Sequence, residues 1–444
     1  MTITESNRSN DTAATSRILA GWHETGRADL GSHLSVHGPI PLPGRDDSHF
    51  SERLLEAIRR SGLTGRGGAG FPSARKWDSV RRSRHPLLVV NAMEGEPASD
   101  KERALLSGAP HLVLDGAQLA AAALGATEII FCVADDRPDS ARRVEDAIYE
   151  RRAVELEGAD VQVLRPPGRY VSGEESALVS WIAGGAATPT FRQQKGVPLT
   201  VRRRPTLVHN AETLAHVALI ARHGPDWFRA VGLPDAPGTA LVSASGSVQR
   251  PGVYEVELGT PVRQILTRAG LVAPLCGVLV GGYGGTWLHP DLLDTLYAPQ
   301  PLAAAGSSMG AGVLGAVGLF SCGVSETARI ATYMAGESAG QCGPCVFGLP
   351  AIAGDLTRLA RGEGDRSSLA RLRHRLDAVA GRGACRHPDG VVRLVRSALA
   401  VFAADFEEHA RHRPCQGCEH SPVLRVPRSF DRTVRPVTSS GRRG

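Results

Sequence analysis

The stretch Glu337-Ser-Ala-Gly-Gln-Cys342-Gly-Pro-Cys345, with Cys385 forty positions further on, sets three thiols at a spacing suited to an iron–sulfur centre. Tetranuclear clusters are commonly held by thiolates in tight Cys-x-x-Cys steps plus one distant Cys. The position where one more thiol would complete that pattern is Ala339. Two arrangements stay open: a [3Fe–4S] centre on Cys342, Cys345 and Cys385, or a [4Fe–4S] centre with another fourth ligand. His387, Cys415 and Cys418 are the candidates for that ligand. Cys415-Gln-Gly-Cys418, flanked by His409, His412 and His420, also has metal-ligand spacing of its own. It reads as a small zinc or redox site, or as a surface thiol pair. Cys132, Cys276 and Cys322 stand among apolar or glycine-rich residues and read as small buried hydrophobes.

Three segments upstream carry polar chemistry. Gly65-Arg66-Gly67-Gly68-Ala-Gly70 satisfies a G-x-G-x-x-G string. A helical pattern precedes it and Phe71-Pro72 follows, so the dinucleotide-binding version, which needs a strand before and a helix after, fails. Its physical content survives, because closely spaced glycines let backbone N–H groups approach a phosphate. Arg66 and Lys76 are near enough in sequence to add positive charge. Next, Asn91-Ala-Met-Glu94-Gly-Glu96-Pro ends an apolar run with an amide and two carboxylates, suited to hydrogen bonding a polar ring or a ribose; Lys101-Glu102-Arg103 follows. In Gly168-Arg-Tyr170-Val-Ser-Gly173-Glu174-Glu175, two acids open a helix whose dipole they complement.

The elements that must position these residues alternate. Apolar spacing predicts helices over 50–61, 111–126 and 140–152, and strands over 86–91, 128–134 and 161–164, hence an α/β unit with a parallel or mixed sheet. From 239 the texture changes to two short strands around a Pro-Gly turn, a helix over 261–269 and a strand over 277–280, the pattern of a small β-grasp module. Helices over 326–334, 349–361, 367–380 and 391–409 predict a C-terminal bundle carrying the cysteines. The expected division is an unstructured 1–17, an α/β domain over 18–236, a β-grasp domain over 237–322, a helical domain over 323–412 and a Cys-containing basic tail over 413–444.

Composition narrows the function. Of the net charge of +6, +5 falls on residues 421–444, so a nucleic-acid surface over the body of the chain is not expected. The uncharged stretch 301–320 reaches membrane-spanning length but carries five Gly and two Ser, and reads as a strand with glycine loops. No apolar run follows a basic start, so no secretory signal is predicted, and a disulfide framework gives way to metal binding. The expected location is cytoplasmic, or peripheral at the inner face of a membrane.

Taken in order, these segments resemble the NADH-binding flavoprotein subunit of respiratory complex I, over roughly residues 15–405. The GRGGAGFP loop with Lys76-Trp77, the N-A-x-E-x-E-P loop, Tyr170-Val-Ser-Gly-Glu-Glu-Ser-Ala-Leu178 and Asn210-Ala-Glu-Thr213-Leu214 carry the likeness. The acidic loop is also similar to that of the related soluble Rnf subunit. The resemblance implies an FMN-binding α/β domain, a soluble-ligand-binding (SLBB-type) β-grasp domain and a helical iron–sulfur domain. It implies that Gly65, Arg66, Gly67, Gly68 and Lys76 hold the phosphate and ribityl groups of FMN, with Asn91, Glu94, Asn210 and Thr213 around the rest. Glu96, Glu175 and Phe71 would face NAD(P)H. Electrons would leave through the cluster to a ferredoxin or a membrane-bound redox protein, with a small thioredoxin-like [2Fe–2S] subunit as a further partner.

Three departures bear on that implication. Met93 stands where the family has Asp, Ser79 where it has Phe, and Arg192-Gln-Gln-Lys-Gly replaces a segment with a second aromatic. Losing two stacking partners at about 0.5–1.5 kcal/mol each weakens NADH about tenfold or more. The flavin site is therefore better kept than the nicotinamide site, and a non-catalytic scaffold or relay subunit is the alternative expectation. At the cysteines, a site in decay would lose its remaining thiols and glycines as freely as the first. Their retention favours a working centre.

Overall fold

The computed structural model describes residues 16–427 except 21, 23–25, 45, 192–197 and 273. The first sheet comprises β1 (Leu87–Asn91), β2 (Glu128–Cys132), β3 (Asp160–Leu164), β4 (Leu199–Val201) and β5 (Arg204–Asn210), in the order β3-β2-β1-β5-β4. All neighbours run parallel except β4, which pairs antiparallel with β5. Leu87, Leu88, Val89 and Val90 are all buried, as a central strand covered on both faces requires. The register sets Asn91 opposite Asn210, so two side-chain amides stand side by side at the carboxyl edge of the sheet. That edge is where open α/β sheets receive ligands.

The helices covering this sheet fit the sequence pattern closely. Pro110–Leu124 starts on a proline, where no N–H is lost to the ladder, and stops at Gly125 with φ +72°. It is buried almost throughout and packs on Ala211–Arg229 at backbone distance: a Cβ at Gly116 would sit inside the carbonyl of Leu214. Phe50–Ser61 likewise ends at a left-handed glycine, Gly62.

The second sheet comprises β6 (Thr239–Gly246), β7 (Gly252–Glu257), β8 (Leu275–Val280), β9 (Thr286–Leu288) and β10 (Val313–Gly318), ordered β9-β8-β10-β6-β7. Only β10 and β6 are parallel. The helix Val262–Arg268 covers it with Val262, Ile265 and Leu266. The uncharged stretch supplies the helix Pro299–Ala304 and β10, an interior strand, and no described helix is long and apolar enough to cross a membrane.

Beyond residue 322 the described chain is helical: Gly323–Gly336, Leu349–Ala360, Arg366–Val379, His387–Val401 and Ala403–His409. The single helix predicted over 391–409 starts earlier and breaks at Phe402, whose ring turns inward against Trp287 of β9 at 5.0 Å. Tertiary packing there overrides helix propensity.

Gly116→Ala should destabilise the fold by about 1–3 kcal/mol, as overpacking does in a tight core. A urea midpoint lowered at unchanged slope is the expected result; an unmoved midpoint would show that the two helices separate freely.

Candidate functional site

A cavity of about 370 Å³ opens at the carboxyl edge of the first sheet. It is walled by Gly67 and Gly68, the loop from Asn91 to Glu96, the turn from Tyr170 to Glu174, and the second-sheet loops at Gly281, Gly284 and Gly310. Met334, Cys385 and His387 line its far end. The glycine loop is pinched at its neck by Gly65 N donating to the Phe71 carbonyl at 2.9 Å and Ser73 N to Leu63 at 3.0 Å. Gly68 holds φ +100°, and a Cβ there would lie 3.3 Å from the Gly310 carbonyl. Only glycine permits that conformation against that neighbour.

A buried ammonium organises the floor. Lys101 Nζ meets Glu102 Oε1 at 2.7 Å and Glu212 Oε2 at 2.9 Å, and donates to the Arg66 carbonyl at 3.2 Å and Asn210 Oδ1 at 3.5 Å. Burial alone would lower its pKa, but the two carboxylates outweigh burial and raise it. Asn210 Nδ2 donates to Glu102 Oε1 at 2.7 Å and to the Asn91 carbonyl at 3.3 Å. Asn91 in turn donates to the Gly173 carbonyl at 2.9 Å. Glu212 also accepts Leu241 N at 2.9 Å, which fastens the second sheet to the first.

Both acids of the loop after β1 are buried and line the cavity. Glu94 accepts from Ser99 Oγ and Glu102 N at 3.0 Å and from Arg103 N at 3.1 Å, satisfying the start of the helix Lys101–Gly108. Burial, helped by the neighbouring Glu102, still pushes its carboxyl well up. Glu96 accepts from Tyr283 N at 2.8 Å, Ala98 N at 3.2 Å and Tyr170 Oη at 3.3 Å. Burial pushes it up to about 7 against those three donors.

Several residues singled out from sequence lie elsewhere. The Arg66 guanidinium turns into the seam with the second sheet, donating to Thr64 Oγ1 at 3.0 Å and the Pro237 carbonyl at 3.4 Å, so it does not line the cavity. The Thr213 hydroxyl accepts Arg66 N at 2.9 Å and thereby shapes the loop. Lys76 and Glu175 form an ion pair outside the cavity lining, and Phe71 is 52% exposed. Glu174 caps the helix Glu175–Ile182, accepting Ser176 N at 2.9 Å and Ala177 N at 3.1 Å. Arg192-Gln-Gln-Lys-Gly lies outside the described residues. Sequence reasoning quoted Lys101 and Glu102 but gave them no role; the signal was a Lys-Glu pair directly after an acidic loop.

At the far end, Cys345 N donates to the Cys342 carbonyl at 3.0 Å. Burial raises the Cys342 thiol's pKa, but the amides of Ala384 and Cys345 outweigh it and bring the thiol below its ordinary value. Burial, with Cys342 and Cys385 nearby, pushes Cys345 up to about 12, and burial raises Cys385. Cys342 thus opposes ionisation of both Cys345 and Cys385, and together the three thiols form a donor set that cationic iron suits. Glu337 Oε2 accepts both Arg169 Nε at 2.9 Å and Tyr170 N at 3.0 Å, tying the cysteine motif to the cavity wall. His387 Nε2 bonds the Met334 carbonyl at 2.8 Å, while its buried Nδ1 has no partner among the described residues. Cys415 and Cys418 do not complete this set; they gather with Cys322 and His409, so Cys322 is not merely a small hydrophobe.

The residues present fit both groups that the sequence implies. A glycine cradle backed by two amides suits FMN, and the thiols with Cys385 at the cavity's edge suit a cluster. Residues 58–219 match the model of the Nuo51 FMN-binding domain, and residues 325–409 that of the NADH-ubiquinone oxidoreductase-F iron-sulfur binding region. The second F-type subunit of NADH-quinone oxidoreductase from Rhizobium meliloti (strain 1021) is 32% identical over 82% of this chain and 90% of its own. The F-type subunit from Streptomyces coelicolor (strain ATCC BAA-471 / A3(2) / M145) is 32% identical over 82% and 84%. A chain of the NAD+-reducing [NiFe]-hydrogenase in the H2-reduced state is 30% identical with a TM-score of 0.78, over 90% of this chain and 67% of that one.

Two outcomes follow from the buried charges. Lys101→Met strands Glu102 and Glu212 and should cost about 3–5 kcal/mol in chemical denaturation. Glu96 keeps its proton in the folded state where the unfolded chain has lost it, so its contribution is present at acid pH and lost as pH rises through about 7. The wild type should therefore lose urea resistance relative to Glu96→Gln between about pH 5 and about pH 8; parallel pH profiles would refute this.

Proposed function

The chain belongs to the family of F-type NADH-quinone oxidoreductase subunits, and from that premise we propose that it oxidises NADH at FMN seated in the cavity and passes the electrons through the cluster to a separate redox protein. The observation that carries this reading is the continuity of one cavity from Gly67 and Gly68 to Cys385. Bound there, FMN supplies a hydride acceptor that can release its electrons singly.

The chain's own residues prepare that place. Gly67 and Gly68 let backbone amides reach a phosphate, with Gly65 closing the neck of their loop on Phe71, while Asn91 and Asn210, held at paired register positions, stand toward the ribityl and ring edges. Glu94 and Lys101 fix the floor. Glu96, with a carboxyl that titrates near neutrality, can hold or release a proton on the wall it shares with Tyr170 and Tyr283. Glu175, paired to Lys76, and the exposed ring of Phe71 offer a polar and a stacking contact to the nicotinamide donor.

We assign the cluster to Cys342, Cys345 and Cys385. His387 takes the place that Ala339 leaves, because its free Nδ1 is buried two residues after Cys385 and the tail thiols are engaged elsewhere. We read the second sheet as an SLBB-type β-grasp module over 237–322, supported by a hairpin, a helix and a return strand, with the α/β domain over 18–236 and the helical domain over 323–412 beside it. Val346 and Phe347, exposed directly after Cys345, favour docking of a ferredoxin, a thioredoxin-like [2Fe–2S] subunit or a membrane-bound redox protein at that end. A cytoplasmic, peripheral location agrees with such partners.

Stopped-flow mixing of the flavin-loaded protein with NADH tests the central claim. Rapid bleaching of the flavin is expected; a flavin that stays oxidised would leave only the relay reading. For the fourth ligand, the wild type should be paramagnetic after dithionite reduction and His387→Ala as isolated, the signature of a [3Fe–4S] centre. An unchanged EPR signal in the variant removes His387 from the set.

A further inference from the structure

A second cluster of metal-ligating side chains stands apart from the cysteines already assigned. Cys322, His409, Cys415 and Cys418 bring one ligand atom each to within 4.8 Å of all the others. Cys322 Sγ and Cys418 Sγ each lie 3.6 Å from His409 Nε2, and Cys415 Sγ lies 3.9 Å from Cys418 Sγ. A tetrahedral ion with metal–sulfur bonds of about 2.3 Å and metal–nitrogen bonds of about 2.0 Å has S···S edges of about 3.8 Å and S···N edges of about 3.5 Å. The three observed separations match that tetrahedron closely, and the remaining three lie within 4.8 Å. Sulfurs spread around the corners of an iron–sulfur cubane stand farther apart, and a disulfide needs sulfurs at about 2.05 Å.

The surroundings are built for ligation. His409 is fully buried, and its Nδ1 donates to the Leu359 carbonyl at 2.9 Å, which leaves the lone pair on Nε2. Nε2 now accepts Cys415 N at 3.2 Å, a contact an ion would replace. Ser325 N donates to Cys322 Sγ at 3.2 Å, support that favours a thiolate. Gly417 lies so close to Ser321 and Cys322 that a Cβ would come within 2.6 Å of the Ser321 backbone, so the Cys415–Cys418 turn is pressed onto Cys322. Three soft thiolates and one imidazole, with all four positions filled by protein, describe a closed structural site with no place for substrate.

We propose that Cys322, His409, Cys415 and Cys418 hold one structural Zn²⁺ ion in a Cys₃His site, separate from Cys342, Cys345 and Cys385. Binding releases the thiol protons and fastens the segment after Ala403–His409 to the first turn of Gly323–Gly336. That segment runs on over the same helix. Val423 N and Leu424 N donate to Glu326 Oε1 at 2.7 and 3.3 Å, and Leu424 is buried. The Arg425 carbonyl accepts the hydroxyl of Tyr283, the residue whose amide holds Glu96. The zinc site therefore anchors a strap that ends on the back of the cavity wall.

Metal analysis and zinc-edge X-ray absorption of the full-length protein test the assignment. Stoichiometric zinc with three sulfur neighbours at about 2.3 Å and one nitrogen at about 2.0 Å is expected. In Cys418→Ser, zinc should fall at least tenfold while iron and flavin hold steady. Wild-type protein without zinc, a variant that loses iron in place of zinc, or a Cys415–Cys418 disulfide found by mass spectrometry would overturn it. Should the variant fail to fold, Co²⁺ exchange into the wild type decides: intense tetrahedral thiolate–cobalt absorption supports the site, and its absence rejects it.

Discussion

An ammonium buried in a protein has to find its compensation inside, and at Lys101 that requirement gathers pieces from across the chain. Glu102 comes from its own helix, Glu212 and Asn210 from the end of β5 and the helix after it, and the Arg66 carbonyl from the glycine loop. Isolated burial of such a charge costs several kcal/mol, so these partners are held together or the region does not form. Because Glu212 also takes the amide of Leu241, the constraint extends into the second sheet. The cavity has a fixed floor because a charge beneath it leaves its neighbours no freedom.

Above that floor, burial raises the pKa of both acids of the loop after β1. Glu94 is spent on a helix start, whereas Glu96 balances burial against three donors and sits near neutrality. Two acids two residues apart thus differ in use because of what donates to them. Two of the three donors to Glu96 come from other segments, Tyr170 and Tyr283, so its proton affinity is a property of the assembled fold.

Much of this was legible in the sequence. The helix over 50–61 announces itself through its period and glycine stop, the strand expected over 128–134 forms over Glu128–Cys132, and the glycine loop failed the dinucleotide context test for a reason the structure shares: a helix, not a strand, leads into it. The direction of side chains was not legible. Arg66 and Lys76 look like phosphate ligands in one dimension, yet one guanidinium fills a seam and the Lys76 ammonium meets Glu175. Nor could spacing join Cys322 to Cys418, since a residue among apolar neighbours gives no sign of which distant turn will pack on it. The break at Phe402 has the same origin, a ring captured by Trp287 on another element.

The carboxylate of Glu337 has one further consequence. By taking both the Arg169 guanidinium and the Tyr170 amide, it bolts the wall of the cavity to the strand of chain that carries Cys342 and Cys345. Electron tunnelling falls off exponentially with the gap between donor and acceptor, so this tie bears on the spacing between the cavity and the cysteine segment. The Arg169–Glu337 pair is only partly shielded from solvent, which makes ionic strength a dial on the strength of that tie.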